Sequence, residues 1–277
     1  MAFVNTQHGR LYYEAHDLTP PWIASPAAIV FHHGAAANLH LWQDWLPHFC
    51  NAYRLIALDA RGCGHSSVPG LGFEWSLDRL AADVLDVAQA AGVNRFHFVG
   101  EDLGGAVGLY LAIKYGDRLL SLTVANCAAR SNASGMGSWR ALIETRGQQA
   151  WAEQMMEWRF FPNALRDELH QWWLRQHAGC NVRAALTMHE LAAATDLTGR
   201  ISAIRVPTLL LAPDASPFVP AAHMAELQAA IPGAELQAFA HARHGLPVSH
   251  ATACAEATDA FLARQSSRFK SDLPVVI

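Results

Sequence analysis

Short apolar runs rich in β-branched and aromatic residues alternate along the chain with longer amphipathic stretches, the pattern by which strand–helix–strand units read. Strands are expected over 28–31, 54–58, 96–99, 120–124, 208–211 and 236–239. Several of these runs are almost continuously hydrophobic, as parallel strands covered on both faces are. Between the second and third, Ser76 is placed to cap a helix. Its Leu77, Leu80, Val84, Val87, Ala88 and Ala91 follow helical spacing, and Gly92 closes it. Further helices are predicted over 104–115 and 251–263, with Ala255, Phe261 and Leu262 facing inward.

One stretch breaks the alternation. From 129 to 200 three amphipathic segments, 138–146, 150–159 and 164–177, follow one another with no strand between them. The pattern predicts an α/β core domain over 1–128 and 201–277, a mostly parallel sheet flanked by helices, with a helical cap inserted over 129–200. Trp139, Trp151, Trp158, Trp172 and Trp173 fall in that cap with Phe160 and Phe161, while it has no tyrosine. Packing the cap onto the core is the ordinary use of such aromatics, and lining a pocket is the other.

Composition narrows the functions. The 277 residues are 52% hydrophobic and 16% charged, with a net charge of −4 and no basic run, which excludes the electrostatic footprint of a nucleic-acid or anionic-membrane binder. A start without a basic then apolar leader, and apolar runs too short to span a bilayer, lead to the expectation of a cytoplasmic protein. Cys50, Cys63, Cys127, Cys180 and Cys254 are odd in number and scattered, so reduced thiols are expected. Neither His32-His33 nor His241-Ala242-Arg243-His244 has the spacing of a zinc-hydrolase helix, so neither metal nor cofactor is expected.

The chemistry concentrates at Phe98-Val99-Gly100-Glu101-Asp102-Leu103-Gly104-Gly105, a predicted strand turning into a predicted helix. A sharp strand-to-helix turn projects its central side chain, here Asp102, and needs small residues two before and two after it, here Gly100 and Gly104. The helix start leaves the Leu103 amide free to donate to a developing oxyanion. His33-Gly34-Ala35-Ala36 follows the first predicted strand and can aim the Ala35 amide at the same point. His244 follows the last predicted strand, where a base must stand to face a nucleophile on the central one.

On these segments the chain resembles the α/β-hydrolases along nearly its whole length. The matching wording is His33-Gly34, Asp59-Ala60-Arg61-Gly62-Cys63-Gly64-His65-Ser66, Gly100-Glu101-Asp102-Leu103-Gly104-Gly105, Val206-Pro207-Thr208 and the loop ending in His244. In that family Asp59 and Arg61 are structural. The resemblance implies an α/β-hydrolase fold, catalysis by Asp102 and His244, and an oxyanion hole from the Ala35 and Leu103 amides. Enol-lactonase-like and esterase-like members have Ser where this chain has Asp102, whereas Asp there resembles dehalogenases and epoxide hydrolases. A carboxylate attacking saturated carbon forms an alkyl ester that a His-activated water then hydrolyses. The Trp that haloalkane dehalogenases carry after the nucleophile is Leu103 here, and the cap lacks the tyrosines of epoxide hydrolases.

The acid that orients His244 is expected to be Asp214, with Asn126 in reserve, since Ser216 occupies the position where relatives usually carry a carboxylate. The reading is therefore a cofactor-independent small-molecule hydrolase with a covalent intermediate on Asp102, dehalogenase-like cleavage favoured. A serine-type ester or lactone hydrolase scaffold in which Asp102 replaces the serine is one alternative, and a non-catalytic small-molecule binder is another. The expected partner is a small, partly apolar substrate rather than nucleic acid or membrane.

Overall fold

The computed structural model describes residues 1–130 and 136–271. Its sheet has eight strands, β1 (Ala2–Thr6), β2 (Gly9–His16), β3 (Ala28–His32), β4 (Arg54–Leu58), β5 (Phe96–Glu101), β6 (Leu119–Ala125), β7 (Thr208–Pro213) and β8 (Glu235–Phe239). They lie in the order β1-β2-β4-β3-β5-β6-β7-β8. The β1–β2 and β2–β4 pairs are antiparallel and every other pair is parallel. All six expected strands are present. The additional pair, β1 and β2, is an edge hairpin.

Strand alternation distributes the core over two faces. Val30, Phe96, Phe98 and Leu210 belong to one buried cluster, while Ile29, Phe31, Val99, Leu209 and Leu211 belong to the other. Period-two side-chain direction requires this split, and burial of both faces explains the continuous apolar runs. The first face is covered by α2 (Leu77–Ala90) and α3 (Leu103–Lys114), the second by α1 (Leu46–Phe49) and α9 (Ala251–Ser271). Ser76 caps α2 by accepting from the Arg79 amide at 3.2 Å, and Gly92 follows it with φ 71°.

Between β6 and β7 stand α4 (Met136–Arg159), α5 (Asp167–Gly179) and α6 (Val182–Ala194), with α4 broken at Gly147, φ 82°. The part of the expected cap at 131–135 lies outside the described residues. α7 (Ala221–Ala230) follows β7, and α8 (Leu246–Ser249) follows β8. Among the described residues no helix is long and apolar enough to cross a membrane. Asp59 and Arg61 work as scaffold: Asp59 accepts from the Leu39 and His65 amides, both at 2.8 Å, and Arg61 Nε donates to buried Asp83 of α2 at 2.9 Å.

Candidate active site

The turn from β5 into α3 holds Asp102 at φ 52°, ψ −119°, a conformation costing a non-glycine residue about 1–3 kcal/mol. Two close approaches make the turn possible. A Cβ on Gly100 would stand 2.3 Å from the Gly104 carbonyl oxygen, and one on Gly104 would stand 2.3 Å from that of His32. The spacing Gly-x-Asp-x-Gly is thus a steric requirement of this elbow.

The loop after β3 meets Asp102 from the other side. The Ala35 amide donates to Asp102 Oδ2 at 3.1 Å, and the Leu103 amide at the start of α3 lowers the carboxyl from the other side of the turn. Burial raises the Asp102 carboxyl, while the Arg159 charge and these two amides lower it. Of the two amides expected to form an oxyanion hole, that of Ala35 hydrogen-bonds the Asp102 side chain itself, and that of Leu103 acts on the same carboxyl.

His244 stands on the loop between β8 and α8, 2% exposed. Its Nε2 faces Asp102 Oδ1 at 3.8 Å and Glu101 Oε1 at 3.7 Å. Burial, and then the charge of Arg159, hold its imidazole well below the ordinary range, so the ring is neutral near pH 7.

The orienting group differs from the expectation. Asp214 does not meet the imidazole: its carboxylate accepts from the His241 and Ala242 amides, both at 2.9 Å, and shapes the loop that carries His244. Those amides also hold its carboxyl below the usual carboxylate range. Asn126 reaches His244 through the backbone, its Nδ2 donating to the His244 carbonyl. Ser216 is the partner of the ring, with Oγ 3.2 Å from Nδ1. Ser216 Oγ also accepts from the Phe218 and Val219 amides at 3.3 and 3.1 Å. Two donors occupy its lone pairs, leaving the hydroxyl proton for Nδ1, and this favours the neutral tautomer with its proton on Nε2.

Two residues were not singled out from the sequence. Glu101, fully buried at the end of β5, accepts from Arg159 Nη1 at 3.2 Å, and Arg159 Nη2 donates to the Ala35 carbonyl at 3.4 Å. Burial raises the Glu101 carboxyl to about 7, with Arg159 lowering it and Asp102 raising it further. A glutamate at the end of a strand buried on both faces demands a cation, and that was the signal available. The cation stands at the far end of α4. Above the Ala35 loop, Trp139, Trp151, Ala152, Met155 and Ala36 form a third apolar cluster, and Phe218 packs edge-on against His244 with ring centres 4.8 Å apart. Among the described residues no group of three or more His, Cys, Asp or Glu side chains gathers as metal ligands.

A family model described as alpha/beta hydrolase fold matches residues 27–251. Over 195 residues, covering 69% of this chain and 71% of the relative, the sequence is 29% identical to 3-oxoadipate enol-lactonase 1 of Acinetobacter baylyi. It is 36% identical over 104 residues to a fluoroacetate dehalogenase of Burkholderia sp, a local match covering 36% of this chain and 34% of that one. Among solved structures, a hydrolase from Pseudomonas aeruginosa PA01 superposes with a TM-score of 0.85 at 28% identity, covering 94% of this chain and 97% of the other.

Proposed function

The chain belongs to the α/β hydrolase family and is a hydrolase, and from that premise we propose that it cleaves carbon–halogen bonds of small molecules through an ester formed on Asp102. One observation carries this reading: the Ala35 amide donates to the Asp102 carboxylate, and the Leu103 amide favours its ionised form. A serine-type hydrolase keeps such amides for the carbonyl oxygen of its substrate. With a carboxylate nucleophile the acyl carbon that water attacks belongs to Asp102, so amides on Asp102 are where the second step needs them.

The steps follow from the atoms. Asp102 Oδ1 attacks the carbon, the carbon–halogen bond breaks, and halide leaves with the electron pair. Oδ2 becomes the ester carbonyl. Water then attacks Asp102 Cγ, giving a proton to His244 Nε2, and the negative charge develops on Oδ2 beside the Ala35 amide. Collapse breaks Cγ–Oδ1, the departing alkoxide recovers the proton from the imidazolium, and alcohol, halide and one proton are the products. The alcohol carries away an oxygen of Asp102.

Ser216 makes the second step slow. To accept the water proton, Nε2 must present its lone pair, which requires Nδ1 to donate to Ser216 Oγ, already taken by two amides. The ester therefore accumulates in the native enzyme.

Intact-protein mass spectrometry after incubation with haloalkanes, haloketones, haloamides and haloacids tests this, on the native protein and on His244→Ala. The expected result is an adduct on Asp102, partial in the native protein and complete in the variant, with ¹⁸O from labelled water entering Asp102 during turnover. A second reading, a serine-type scaffold carrying Asp in place of Ser, is favoured by the enol-lactonase relative. No adduct in either protein, together with ester hydrolysis by Asp102→Ser, would establish that reading and overturn the first.

A further inference from the structure

Arg159 is the cation at the elbow, 2% exposed, and its Nη1 is engaged by Glu101. Its charge acts on two carboxylates, Glu101 of β5 and Asp102 at the elbow, and on the imidazoles of His33 from the β3 loop, His177 of α5, His189 of α6 and His244 of the β8 loop. Burial keeps all four imidazoles neutral near pH 7. With both carboxylates ionised, negative charge exceeds positive by one, and with Glu101 protonated the two signs balance.

A second, independent observation concerns hydrogen bonding. Trp139 Nε1, Trp151 Nε1 and Arg159 Nε are buried and, like Glu101 Oε2, His177 Nε2 and His189 Nε2, have no hydrogen-bond partner among the described residues. These groups are clustered: the Trp139 ring centre is 4.4 Å from that of His189, and Trp151 is 6.4 Å from both His189 and His177. Trp139 also packs on Phe218 at 5.6 Å, the residue that touches His244. The two indoles and Arg159 Nε can only donate, whereas Glu101 Oε2 accepts when ionised. A buried donor left without a partner is costly, and a bound acceptor recovers that cost.

We propose that Glu101 is a specificity-determining residue which, by engaging Arg159, makes this site take uncharged molecules with an apolar body and hydrogen-bond acceptors, and reject carboxylates of the same shape. The inference rests on the reading that this site holds the substrate. A carboxylate entering the site meets Asp102 and Glu101 with Arg159 already neutralised, and like charges at short range in a buried site repel strongly. An amide or ketone oxygen meets the same three donors without that repulsion. Protonating Glu101, whose carboxyl lies near 7, lifts the exclusion, so carboxylate binding takes up a proton.

Benzamide and benzoate share one shape and differ in charge, and their binding by calorimetry and thermal shift tests the proposal. At pH 8 the native protein should bind benzamide at least about tenfold more tightly than benzoate, the ratio that one pK unit of differential interaction produces. Benzoate should gain up to about tenfold per pH unit on lowering the pH from 8 towards 7, where benzoate itself stays ionised. Glu101→Gln, which frees the Arg159 charge, should reverse the preference at pH 8. Benzoate binding as well as benzamide to the native protein, a preference unmoved in Glu101→Gln, or no binding of either probe would overturn the proposal. Should the variant fail to fold, the pH dependence of benzoate binding to the native protein decides. None of these readouts involves ester formation, so a benzamide preference without any Asp102 adduct would overturn the catalytic reading alone.

Discussion

Glu101→Gln should make the protein more stable, and only above a particular pH. The glutamate is fully buried, and its carboxyl lies near 7 against an ordinary value of 4.5. Between those two values the folded state keeps a proton that the unfolded state has released. Stability contributed by this group is therefore present below pH 4.5 and is lost as pH rises to 7. At about 1.4 kcal/mol per pH unit, the loss accumulates to about 3 kcal/mol and stays constant above that range. Gln never ionises, and its side-chain oxygen can still accept from Arg159 Nη1, so the variant escapes the loss. The two proteins should match near pH 4.5 and separate progressively, with Glu101→Gln about 3 kcal/mol more stable at pH 8. For a chain of this size that corresponds to roughly 5–10 °C in melting temperature. Urea unfolding of both proteins from pH 5 to 8.5 reads the difference directly. The buried histidines His32, His33, His97, His177 and His189, all depressed by burial, weaken both proteins alike below pH 6.5 and cancel. A variant no more stable than the native protein at pH 8, or a gap that does not change with pH, would refute the reasoning.

Other substitutions separate chemistry from scaffold. Ser216→Asp places an acceptor-only group beside His244 Nδ1, fixing the lone pair on Nε2, and should speed breakdown of the Asp102 ester by tenfold or more, seen as loss of adduct from the native-like mass spectrum. Asp214→Ala should cost about 1–2 kcal/mol in unfolding experiments, because two loop amides lose their acceptor, yet leave turnover within a few-fold of native. An orienting acid would lose orders of magnitude. Gly34→Ala should be severe, since the new Cβ stands 2.2 Å from Glu101 Oε2 and 2.7 Å from Asp102 Cβ. About 1–3 kcal/mol of overpacking and disappearance of the adduct are expected, measured by melting and mass spectrometry.

The central strands were legible because burial on both faces writes itself as uninterrupted apolar sequence, and α2 because Ser76 and Gly92 bracket a helical period. β1 and β2 carry no such run. They lie at the antiparallel edge, where Ala2–Thr6 alternates half-buried and exposed positions. The elbow was legible because its sterics leave Gly at both flanks of Asp102. Its surroundings were not. Asp214 and Ser216 stand two residues apart in one turn, and which of them reaches Nδ1 depends on the path of the loop against β8 rather than on residue type. Arg159 lies 58 residues from Glu101 in sequence, and only the packing of α4 over the Ala35 loop joins them.

That junction limits how the molecule can be recombined. The guanidinium that balances the elbow is carried on α4, outside the sheet, while both carboxylates sit at the end of β5. Exchanging the helices between β6 and β7 with those of another hydrolase would remove the counter-charge and strand Glu101 inside the protein, even where every backbone junction fits. Chimeras that move residue 101 together with the helices should fold, and those that move the helices alone should be recovered chiefly with a second change at residue 101 to an uncharged side chain. In this molecule the unit of inheritance for the site is a strand end and a helix end taken together, and neither the sheet nor the helices contain it alone.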